Sequence, residues 1–372
     1  MNVPIGDTPD FRFVASIVKA CLWGHAPVDS GVVPSPSMWQ GILGVADEHR
    51  VLGILSTAEQ QGLLTLDDTM LEALTARHVD LLHNCLVIES ALLAALDVLD
   101  AAGIGSIVLK GVAVAHLDYP EPAMRSFEDV DLLIPATQID DAIRLLIQHG
   151  HRRDLPPRRR DWDRRFSKDI TMFSPQGPAV DVHRTVLPGA FGFWVNPSGL
   201  FEDPTSFVLG GRPVRGLGPE ARSLHAACAL SIGENLPRLS HACDLALILA
   251  GGASTSALAE LAERWRLSAV LADALDTTVR WLGSAVLAEE VHELRSSLAG
   301  SRSERFVLGT YHAKSGSNTA TLLAGVLGLR SSRDRIAYLG GLLRPDRTYR
   351  ASRAMSGRSV EWSTALRELM KR

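Results

Sequence analysis

The sequence predicts an α+β fold, with a β-sheet core at residues 103–218 between a helical N-terminal region, residues 1–102, and a helical C-terminal region, residues 219–372. Three successive hydrophobic patterns predict this arrangement. Apolar residues recur at helical spacing before Gly103, brief apolar runs bounded by glycine or proline follow it, and helical spacing returns after Pro219. A chain of 372 residues is also long enough for several packed units.

The hydrophobic spacing in the N-terminal region predicts three helices. A short amphipathic segment at residues 11–22 is followed by longer segments at 38–61 and 66–102, the last of about ten turns. A stretch rich in Pro, Ser, Gly and Val at residues 27–37 separates the first two helices. Gly62 marks the boundary between the second and the third.

In the central region, strands alternate with helices. Residues 106–110 form an apolar run that predicts a strand entering a turn, and residues 111–117 predict a helix. Residues 129–134 predict a second strand, which the following proline ends. Thr137 can then cap a helix that runs to His149, so the order is β-α-β-α.

The remaining elements are a hairpin and further helices. Two short apolar runs at residues 170–173 and 179–183 flank a Ser-Pro-Gln-Gly-Pro connection, which is typical of a turn. The arginine- and glycine-rich residues 330–353 predict no clear element, and we find no internal repeat. Beyond Pro219, helical spacing predicts helices at residues 220–232, 240–249, 256–282 and 285–298.

The composition indicates an ordinary globular protein. Hydrophobic residues make up 46% and charged residues 22%, and a net charge of -4 excludes nucleic-acid binding through overall charge. The four cysteines are scattered without CxxC spacing, which argues against a disulfide framework and a zinc site. No secretory signal is visible, and no window approaches about 18 uncharged apolar residues. We therefore expect a cytoplasmic protein without a membrane partner.

Two carboxylates stand two residues apart in the second predicted strand. Side chains at this spacing share one face, so Asp129 and Asp131 project side by side. Two close carboxylates repel each other unless a cation neutralises them. Hard oxygen ligands of this kind suit Mg²⁺ or Mn²⁺, so we interpret the pair as metal ligands.

Asp181 supplies a third carboxylate. It lies in the alternating strand at residues 179–183, where it shares a face with His183. A third acid on a neighbouring strand completes a site for two metal ions about 3.5–4 Å apart, which can activate an attacking oxygen and stabilise leaving pyrophosphate. We therefore assign catalytic and metal-binding roles to Asp129, Asp131 and Asp181, with Asp181 as the bridge or the base.

The turn before the predicted helix at residues 111–117 can bind phosphate. Gly111 lets phosphate oxygens approach the backbone, and the amides of Gly111 and Val112 would point at them. Lys110 adds a mobile positive charge, and Arg125 adds a forked donor that suits phosphate. We therefore predict that these four residues bind a nucleotide.

The same residues resemble the signature of the uncharacterised bacterial nucleotidyltransferase family in the DNA polymerase beta-like superfamily. The resemblance covers most of the chain from about Met38 onward, although its helical parts are weakly diagnostic. It rests on the Leu109-Lys110-Gly111 turn, the Tyr119-Pro120 pair, Arg125, the Asp129-Val130-Asp131 strand, the Asp181-Val182-His183 strand, and the segment from Leu224-His225 to Asp244-Leu245.

The resemblance implies a nucleotidyltransferase-type mixed β-sheet and a nucleoside triphosphate co-substrate, which we expect to be ATP, used with Mg²⁺ or Mn²⁺. The acceptor would be a small molecule, a peptide or a protein, and nucleic acid is not expected. One departure matters, because most members of the wider superfamily place a serine where Val112 stands here. This departure leaves a catalytically weak nucleotide-binding regulatory module open as an alternative. A phosphotransferase on the same fold also stays open, because similar metal and phosphate contacts can serve attack at another phosphorus.

Each of these residues also has a structural interpretation. An isolated Asp-x-Asp pair is often solvated, and Arg125 can instead pair with Glu121 or Glu128. Asp181 can simply orient His183, which we expect to support the site without binding metal directly. For His225, His241 and Asp244 we expect hydrogen bonds between packed helices.

Residues 152–168 form a local basic segment with eight cationic side chains and three aspartates. Such segments are usually solvated loops, but this one lies between two predicted core strands and can border an active cleft. Trp162 and Phe166 interleave with the basic residues, which would permit RNA bases to stack. No RNA-binding motif accompanies them, so we do not favour that function.

Overall fold

The computed structural model describes residues 8–26, 33–233, 237–312 and 319–355. The first part of the loop predicted at residues 27–37 and the end of the predicted C-terminal region lie outside the described residues.

The described part of the N-terminal region contains four helices where the sequence analysis predicted three. The predicted helix at residues 38–61 is divided, because Arg50 adopts a left-handed conformation with φ of 55° that ends one helix before the next begins. The side chains of Thr8, Ser35 and Asp67 cap three of the helices by accepting a backbone N–H. The helices are α1 (Pro9–Trp23), α2 (Pro36–Glu48), α3 (Leu52–Gln60) and α4 (Asp68–Ala101).

A seven-stranded mixed sheet forms the centre of the described chain, which confirms the predicted α+β class. The strand order is β3-β4-β5-β2-β1-β7-β6, with the β2–β5 and β1–β7 pairs parallel and the other pairs antiparallel. The strands are β1 (Ile107–Val108), β2 (Asp129–Leu133), β3 (Arg152–Arg153), β4 (Asp169–Phe173), β5 (Ala179–His183), β6 (Thr205–Leu209) and β7 (Arg212–Gly216).

The predicted hairpin is confirmed as β4 and β5, whereas the sequence analysis missed β3, β6 and β7. Strands β6 and β7 are joined by Gly210 and Gly211, both with positive φ. Two adjacent glycines between short β-prone runs indicate a hairpin. The sequence analysis relied on the hydrophobic pattern and therefore missed this signal.

In the central region, two helices begin at residues other than those predicted. The strand predicted at residues 106–110 is too long, because Lys110 already begins a helix and has φ of 47°. The predicted cap at Thr137 is also wrong, since Gln138 precedes the next helix and makes no side-chain capping bond. The helices are α5 (Lys110–Leu117), α6 (Ile139–Gln148), α7 (Trp162–Phe166) and α8 (Gly189–Trp194).

The C-terminal region is helical throughout its described part. The long helix predicted at residues 256–282 is broken at Arg266, whose φ of 55° repeats the break seen at Arg50. The helices are α9 (Pro219–Ile232), α10 (Leu239–Ala250), α11 (Thr255–Arg264), α12 (Ser268–Leu282), α13 (Glu289–Ser297), α14 (Arg302–His312), α15 (Thr319–Gly328), α16 (Ser332–Leu343) and α17 (Arg347–Met355).

Three apolar cores hold these elements together. The largest joins α1–α3 to α9–α12 and packs on one face of the sheet, and the second lies on the opposite face with α4 and α6. The third is small and joins α7 to α16 through Trp162, Phe166 and Tyr338. Burying apolar surface in these cores fixes how the helices sit around the sheet.

Helix α4 has the length and composition of a membrane-spanning helix, with a mean hydropathy of 1.6 in its most apolar stretch, of which 33% is buried. Its two ends belong to different apolar cores, with Met70 and Leu74 in the first and Leu92 and Leu99 in the second. Core helices of soluble proteins share these properties, so a single helix of this kind does not by itself indicate a membrane protein.

Gly111 is required by packing at the start of α5, which gives a testable prediction. A Cβ at this position would lie 2.4 Å from the Cβ of the buried Phe127. We expect Gly111→Ala to lower the free energy of unfolding by about 1–3 kcal/mol in urea denaturation.

Gly44→Ala is the matched control for this substitution, because Gly44 is also helical but has open space around its Cβ position. We expect this variant to be neutral or more stable by about 0.5–1 kcal/mol. Equal stability of the two variants would contradict the packing argument.

Candidate active site

One face of the sheet carries a row of polar side chains across three adjacent strands. Alternate residues on the opposite face are apolar and buried, as Val130, Ile170 and Val180 are. The strand register places Asp131 opposite Asp181 and brings the polar residues together. They are Asp129 and Asp131 on β2, Asp181 and His183 on β5, and Asp169 and Thr171 on β4.

Asp131 is the most buried carboxylate of this row, with 2% of its surface exposed. The Nζ atom of Lys110 lies 2.6 Å from its Oδ1 atom, and the Nε2 atom of His183 lies 2.7 Å from the same oxygen. Burial alone would raise the pKa of Asp131, but the Lys110 ammonium and the hydrogen bond from His183 hold it well below its ordinary value. Asp131 is therefore ionised and accepts both hydrogen bonds.

His183 belongs to the same cluster. Its ring is fully buried, with Nδ1 3.2 Å from the carbonyl oxygen of Thr185. Potential ligand atoms of Asp131, Asp181 and His183 all lie within 4.8 Å of one another. The group that can hold a metal therefore includes His183, which the sequence analysis had expected only to support the site.

Asp129 lies beside this group and borders the cleft above it. Burial and the negative charge of Asp131 raise the pKa of Asp129 from 3.8 to about 6, and Asp181 adds to the effect. Lys110 opposes the shift without cancelling it. The three acids predicted from the sequence thus lie on one sheet face and repel one another.

Asp181 fits a bound cation. Its Oδ1 atom is buried and has no hydrogen-bond partner among the described residues. The hydroxyl of Thr171 bonds to the carboxylate, while burial and the negative charge of Asp169 raise the pKa of Asp181. An orphaned carboxylate oxygen beside two further acids is the donor set that a divalent cation would neutralise.

The turn at Lys110 borders the same cleft, and its residues make contacts that the sequence analysis did not predict. The Lys110 ammonium is bonded to Asp131, and the missing Cβ of Gly111 accommodates Phe127. Val112 is buried in the core on the far face of the sheet, so a serine side chain there would not face the cleft. The amides at the start of α5 have no partner within the helix and remain candidate phosphate donors.

Arg125 is buried and forms a two-point ion pair with Asp244 on α10. Its Nε and Nη2 atoms donate to the two carboxylate oxygens at 2.8 and 2.9 Å, and the hydroxyl of Tyr119 donates to Oδ1 at 2.8 Å. The sequence analysis had considered Glu121 or Glu128 as its partner, but Arg125 pairs with Asp244 instead. The three residues of this cluster tie the loop before β2 to the C-terminal helices.

A cleft of about 320 Å³ lies between the polar sheet face and helices α9 and α10. Arg50, Lys168 and Arg238 add positive charge to its lining. His225 and His241 also line it, and burial lowers the pKa of each well below its ordinary value, so both rings are neutral. The Nδ1 atom of His241 is buried without a partner among the described residues, contrary to the expected helix–helix hydrogen bond.

Asp169 and Thr171 are site residues that the sequence analysis missed. Lys168 pairs with Asp169 at 2.9 Å, and Lys168 and His183 lower the pKa of Asp169 although burial opposes them. The predicted hairpin already contained the signal, since a five-residue connection places Thr171 opposite Asp181. Applying that register would have added both residues to the polar face.

The basic segment at residues 152–168 is not an open arginine surface. Arg153 pairs with Asp163 at 2.7 Å, and Arg165 pairs with Asp334 at 2.6 Å. Trp162 is buried, stacks on Tyr338 at 5.4 Å and is unavailable to nucleic-acid bases. Only Trp162, Asp163 and Phe166 of this segment are buried, and its other residues are half-buried or exposed.

Comparison with known proteins gives one family match. Residues 35–283, about two thirds of the chain, match the model of a family described as uncharacterised nucleotidyltransferase. The match covers the sheet, the acidic face and helices α9 and α10, which carry the geometry described above. No curated protein sequence is significantly similar to the chain.

Several solved structures show a distant similarity. The lincosamide antibiotic adenylyltransferase LnuA, bound to lincomycin, has 17% identity and a TM-score of 0.30, and the match covers 43% of this chain and 94% of that one. The antibiotic-resistance factor ANT(2'')-Ia has 16% identity and a TM-score of 0.34 over 55% and 96%. An antigenic nucleotidyltransferase-like protein from Paracoccidioides brasiliensis has 15% identity and a TM-score of 0.30 over 57% and 94%.

Removing Asp244 should leave the Arg125 guanidinium buried without its counterion. We expect Asp244→Ala to lower the free energy of unfolding by about 3–5 kcal/mol in urea denaturation. The control is Asp141→Ala, which breaks an exposed ion pair with Arg144 and should cost about 0–1 kcal/mol. Similar losses in both variants would show that the buried pair has no special structural importance.

The raised pKa of Asp129 predicts a pH-dependent effect of divalent cations. Since its folded-state pKa lies above the ordinary 3.8, protonation stabilises the metal-free protein, and this stability is lost as the pH rises through about 6. If these acids are metal ligands, Mg²⁺ would bind them in the ionised form, so the rise in melting temperature with Mg²⁺ over EDTA should be larger at about pH 7.5 than at about pH 5.

Asp129→Asn removes one titrating group and should reduce this dependence, while the raised pKa of Asp181 preserves part of it. Asp97→Asn, an exposed acid paired with Arg212 on the opposite side of the sheet, should behave as the unmodified protein does. A Mg²⁺ effect of equal size at both pH values would contradict the proposed role of Asp129.

Proposed function

The chain belongs to this family of uncharacterised nucleotidyltransferases, and from that premise we propose that it transfers a nucleoside monophosphate from an NTP, expected to be ATP, to an acceptor. The observation that carries the proposal is the row of carboxylates beside the Lys110 turn, within a cleft large enough for a small ligand. The acceptor class in the proposal is a small molecule, a peptide or a protein. A cytoplasmic location is consistent with the four free cysteines.

Asp129, Asp131 and Asp181 are the proposed ligands of Mg²⁺ or Mn²⁺, with His183 beside them. When bound, the cation supplies positive charge that stabilises phosphate oxygens and promotes ionisation of an attacking hydroxyl. His183 has a second role in the proposal, because its hydrogen bond fixes the orientation of the Asp131 carboxylate.

The phosphates are proposed to lie along the start of α5. The amides of Gly111 and Val112 would donate to them, and Lys110 would exchange its bond to Asp131 for a contact with phosphate. Arg125 borders the cleft, but Asp244 and Ser126 occupy three of its five guanidinium hydrogens. Any phosphate contact by Arg125 would therefore use the remaining two.

The reaction is proposed to be an in-line displacement. The acceptor oxygen forms a bond to the α-phosphorus, the bond from that phosphorus to the bridging oxygen breaks, and pyrophosphate leaves. Asp181 is the proposed recipient of the hydroxyl proton, since its buried Oδ1 atom has no other partner among the described residues. The neutral rings of His225 and His241 border the cleft without adding charge to it.

Loss of the acidic residues should abolish transfer. We expect Asp129→Asn and Asp131→Asn each to reduce pyrophosphate release from ATP by about 10²-fold or more, because each removes a proposed metal ligand. The assay measures pyrophosphate with a panel of candidate acceptors, and Asp97→Asn serves as the folded control. Undiminished turnover in either active-site variant would exclude the proposed metal role.

Two further measurements separate the alternatives. ATP binding with Mg²⁺, measured by calorimetry, but no product across a broad acceptor panel would favour a nucleotide-binding regulatory module. A product heavier by one phosphoryl group instead of a nucleoside monophosphate would identify a phosphotransferase. Absence of nucleotide binding would contradict all three functions.

A further inference from the structure

Three arginines line the cleft between the polar sheet face and helices α9 and α10, beside the start of β2. Arg50 lies in the turn between α2 and α3, Arg125 in the loop before β2, and Arg238 directly before α10. Burial lowers the pKa of Arg50, and the positive charges of Arg238 and Arg125 lower it further, against the opposing charge of Glu128. Arg50 is therefore close enough to the other two to be repelled by them. We call the three residues the arginine cluster.

The residue before Arg50 brings two of these arginines together. The Nδ1 atom of His49 accepts a hydrogen bond from the backbone N–H of Leu239 at 3.0 Å, and its carbonyl oxygen accepts one from the backbone N–H of Ser240 at 3.2 Å. These N–H groups begin α10 and have no partner within the helix. His49 thus attaches the α2–α3 turn to the start of α10 and sets Arg50 beside Arg238.

The arginine cluster retains donors that the described residues do not satisfy. The Nε atom of Arg50 is buried without a hydrogen-bond partner among them. Its ion-pair partner Glu128 has 70% of its side chain exposed, so the pair is weak and a competing anion can replace it. Two guanidinium hydrogens of Arg125 also remain outside its bonds to Asp244 and to a backbone oxygen.

The imidazole ring of His241 lies among the same three arginines. Burial lowers its pKa well below the ordinary value, and the positive charges of Arg125, Arg238 and Arg50 lower it further, so the ring is neutral. Its Nδ1 atom is buried without a partner among the described residues. In the tautomer with a proton on Nδ1, the ring would be a further donor to an anion at the cluster.

The cluster carries more positive charge than its carboxylate partners balance. Glu128 and Asp244 each pair with one arginine, which leaves the guanidinium of Arg238 without a carboxylate partner among the described residues. Cations that packing holds together repel one another, and an anion between them removes that cost. A phosphate group suits the cluster, because its several oxygens can accept from more than one planar guanidinium.

We propose that the arginine cluster is a second phosphate-binding subsite of the cleft, in addition to the start of α5. Its ligand is a phosphate group that belongs either to the terminal end of the NTP or to the acceptor. The choice of these two carriers rests on the proposed function, since both are substrates of nucleotidyl transfer. The subsite gives the N-terminal region, through Arg50, and α10, through Arg238, a part in substrate binding.

The first measurement is calorimetry of inorganic phosphate binding to the full chain in the presence of Mg²⁺. We expect Arg238→Gln to weaken phosphate binding by about tenfold, because it removes charge-assisted hydrogen bonds. Arg238→Lys should retain part of the affinity, since it keeps the charge and loses the planar fork. Arg125 is left unchanged, because its buried pair with Asp244 contributes to stability.

Arg50→Asn should weaken phosphate binding in the same direction. Asparagine removes the guanidinium but tolerates the left-handed conformation of position 50. The matched control is Arg266→Asn, because Arg266 is an exposed arginine that has the same φ of 55° and does not line the cleft. This control should bind phosphate as the native chain does, and thermal unfolding establishes that each variant is folded.

Nucleotide binding identifies which substrate carries the phosphate. If the NTP carries it, Arg238→Gln should weaken ATP binding by about tenfold and leave AMP binding unchanged, and ATP should displace inorganic phosphate. If the acceptor carries it, the variant should bind both nucleotides normally, and inorganic phosphate should still bind the chain saturated with a non-hydrolysable ATP analogue. Either result supports the subsite.

Absence of phosphate binding by the native chain, or unchanged phosphate affinity in Arg238→Gln, would overturn the inference. So would an equal loss of phosphate binding in Arg266→Asn, or an equal weakening of ATP and AMP by Arg238→Gln, since neither result depends on a phosphate at the cluster. Failure of the native chain to bind ATP, with phosphate binding still dependent on Arg238, would instead overturn the proposed function and leave the subsite standing.

Discussion

The site depends on the hydrogen bonds from Lys110 and His183 to the carboxylate of Asp131. A carboxylate with 2% exposure stays ionised there only because an ammonium and an imidazole both bond to its Oδ1 atom. Lys110 begins α5 and His183 ends β5, so one carboxylate connects the turn that we propose to bind phosphate to the strand that carries Asp181. The left-handed conformation of Lys110 is the local strain that accompanies this arrangement.

The buried cluster of Tyr119, Arg125 and Asp244 extends this organisation to the helices. It fixes α10 against the loop before β2, and α10 in turn forms part of the opposite wall of the cleft. An ion pair this deeply buried is favourable only when its hydrogen bonds are complete, so the distance between sheet and helices is tightly set. The same cluster brings into contact residues of the resemblance that are far apart in the sequence.

Two adjoining clefts border the polar face, and both are lined by Lys168, Asp169, Thr171 and Pro188. Carboxylates and the start of α5 line the first, which is the proposed polyphosphate site, whereas the second borders the buried stack of Trp162 and Tyr338. Within the arginine-rich segment, Arg153 pairs with the buried Asp163, and Arg165 pairs with Asp334 on α16. The Arg165–Asp334 pair and the packing of Trp162 on Tyr338 thereby attach a segment that resembles a solvated basic loop to α16.

The sequence by itself determined the features that depend on near neighbours. Alternation along a strand placed Asp129 and Asp131 on one face, and turn composition identified the β4–β5 hairpin. Local pattern did not reveal the helix breaks at Arg50 and Arg266, because a left-handed arginine leaves the hydrophobic period intact. Only the tertiary structure decided that Arg125 meets Asp244, 119 residues away, and that His183 joins the acids, since pairing between distant elements depends on how their apolar faces pack.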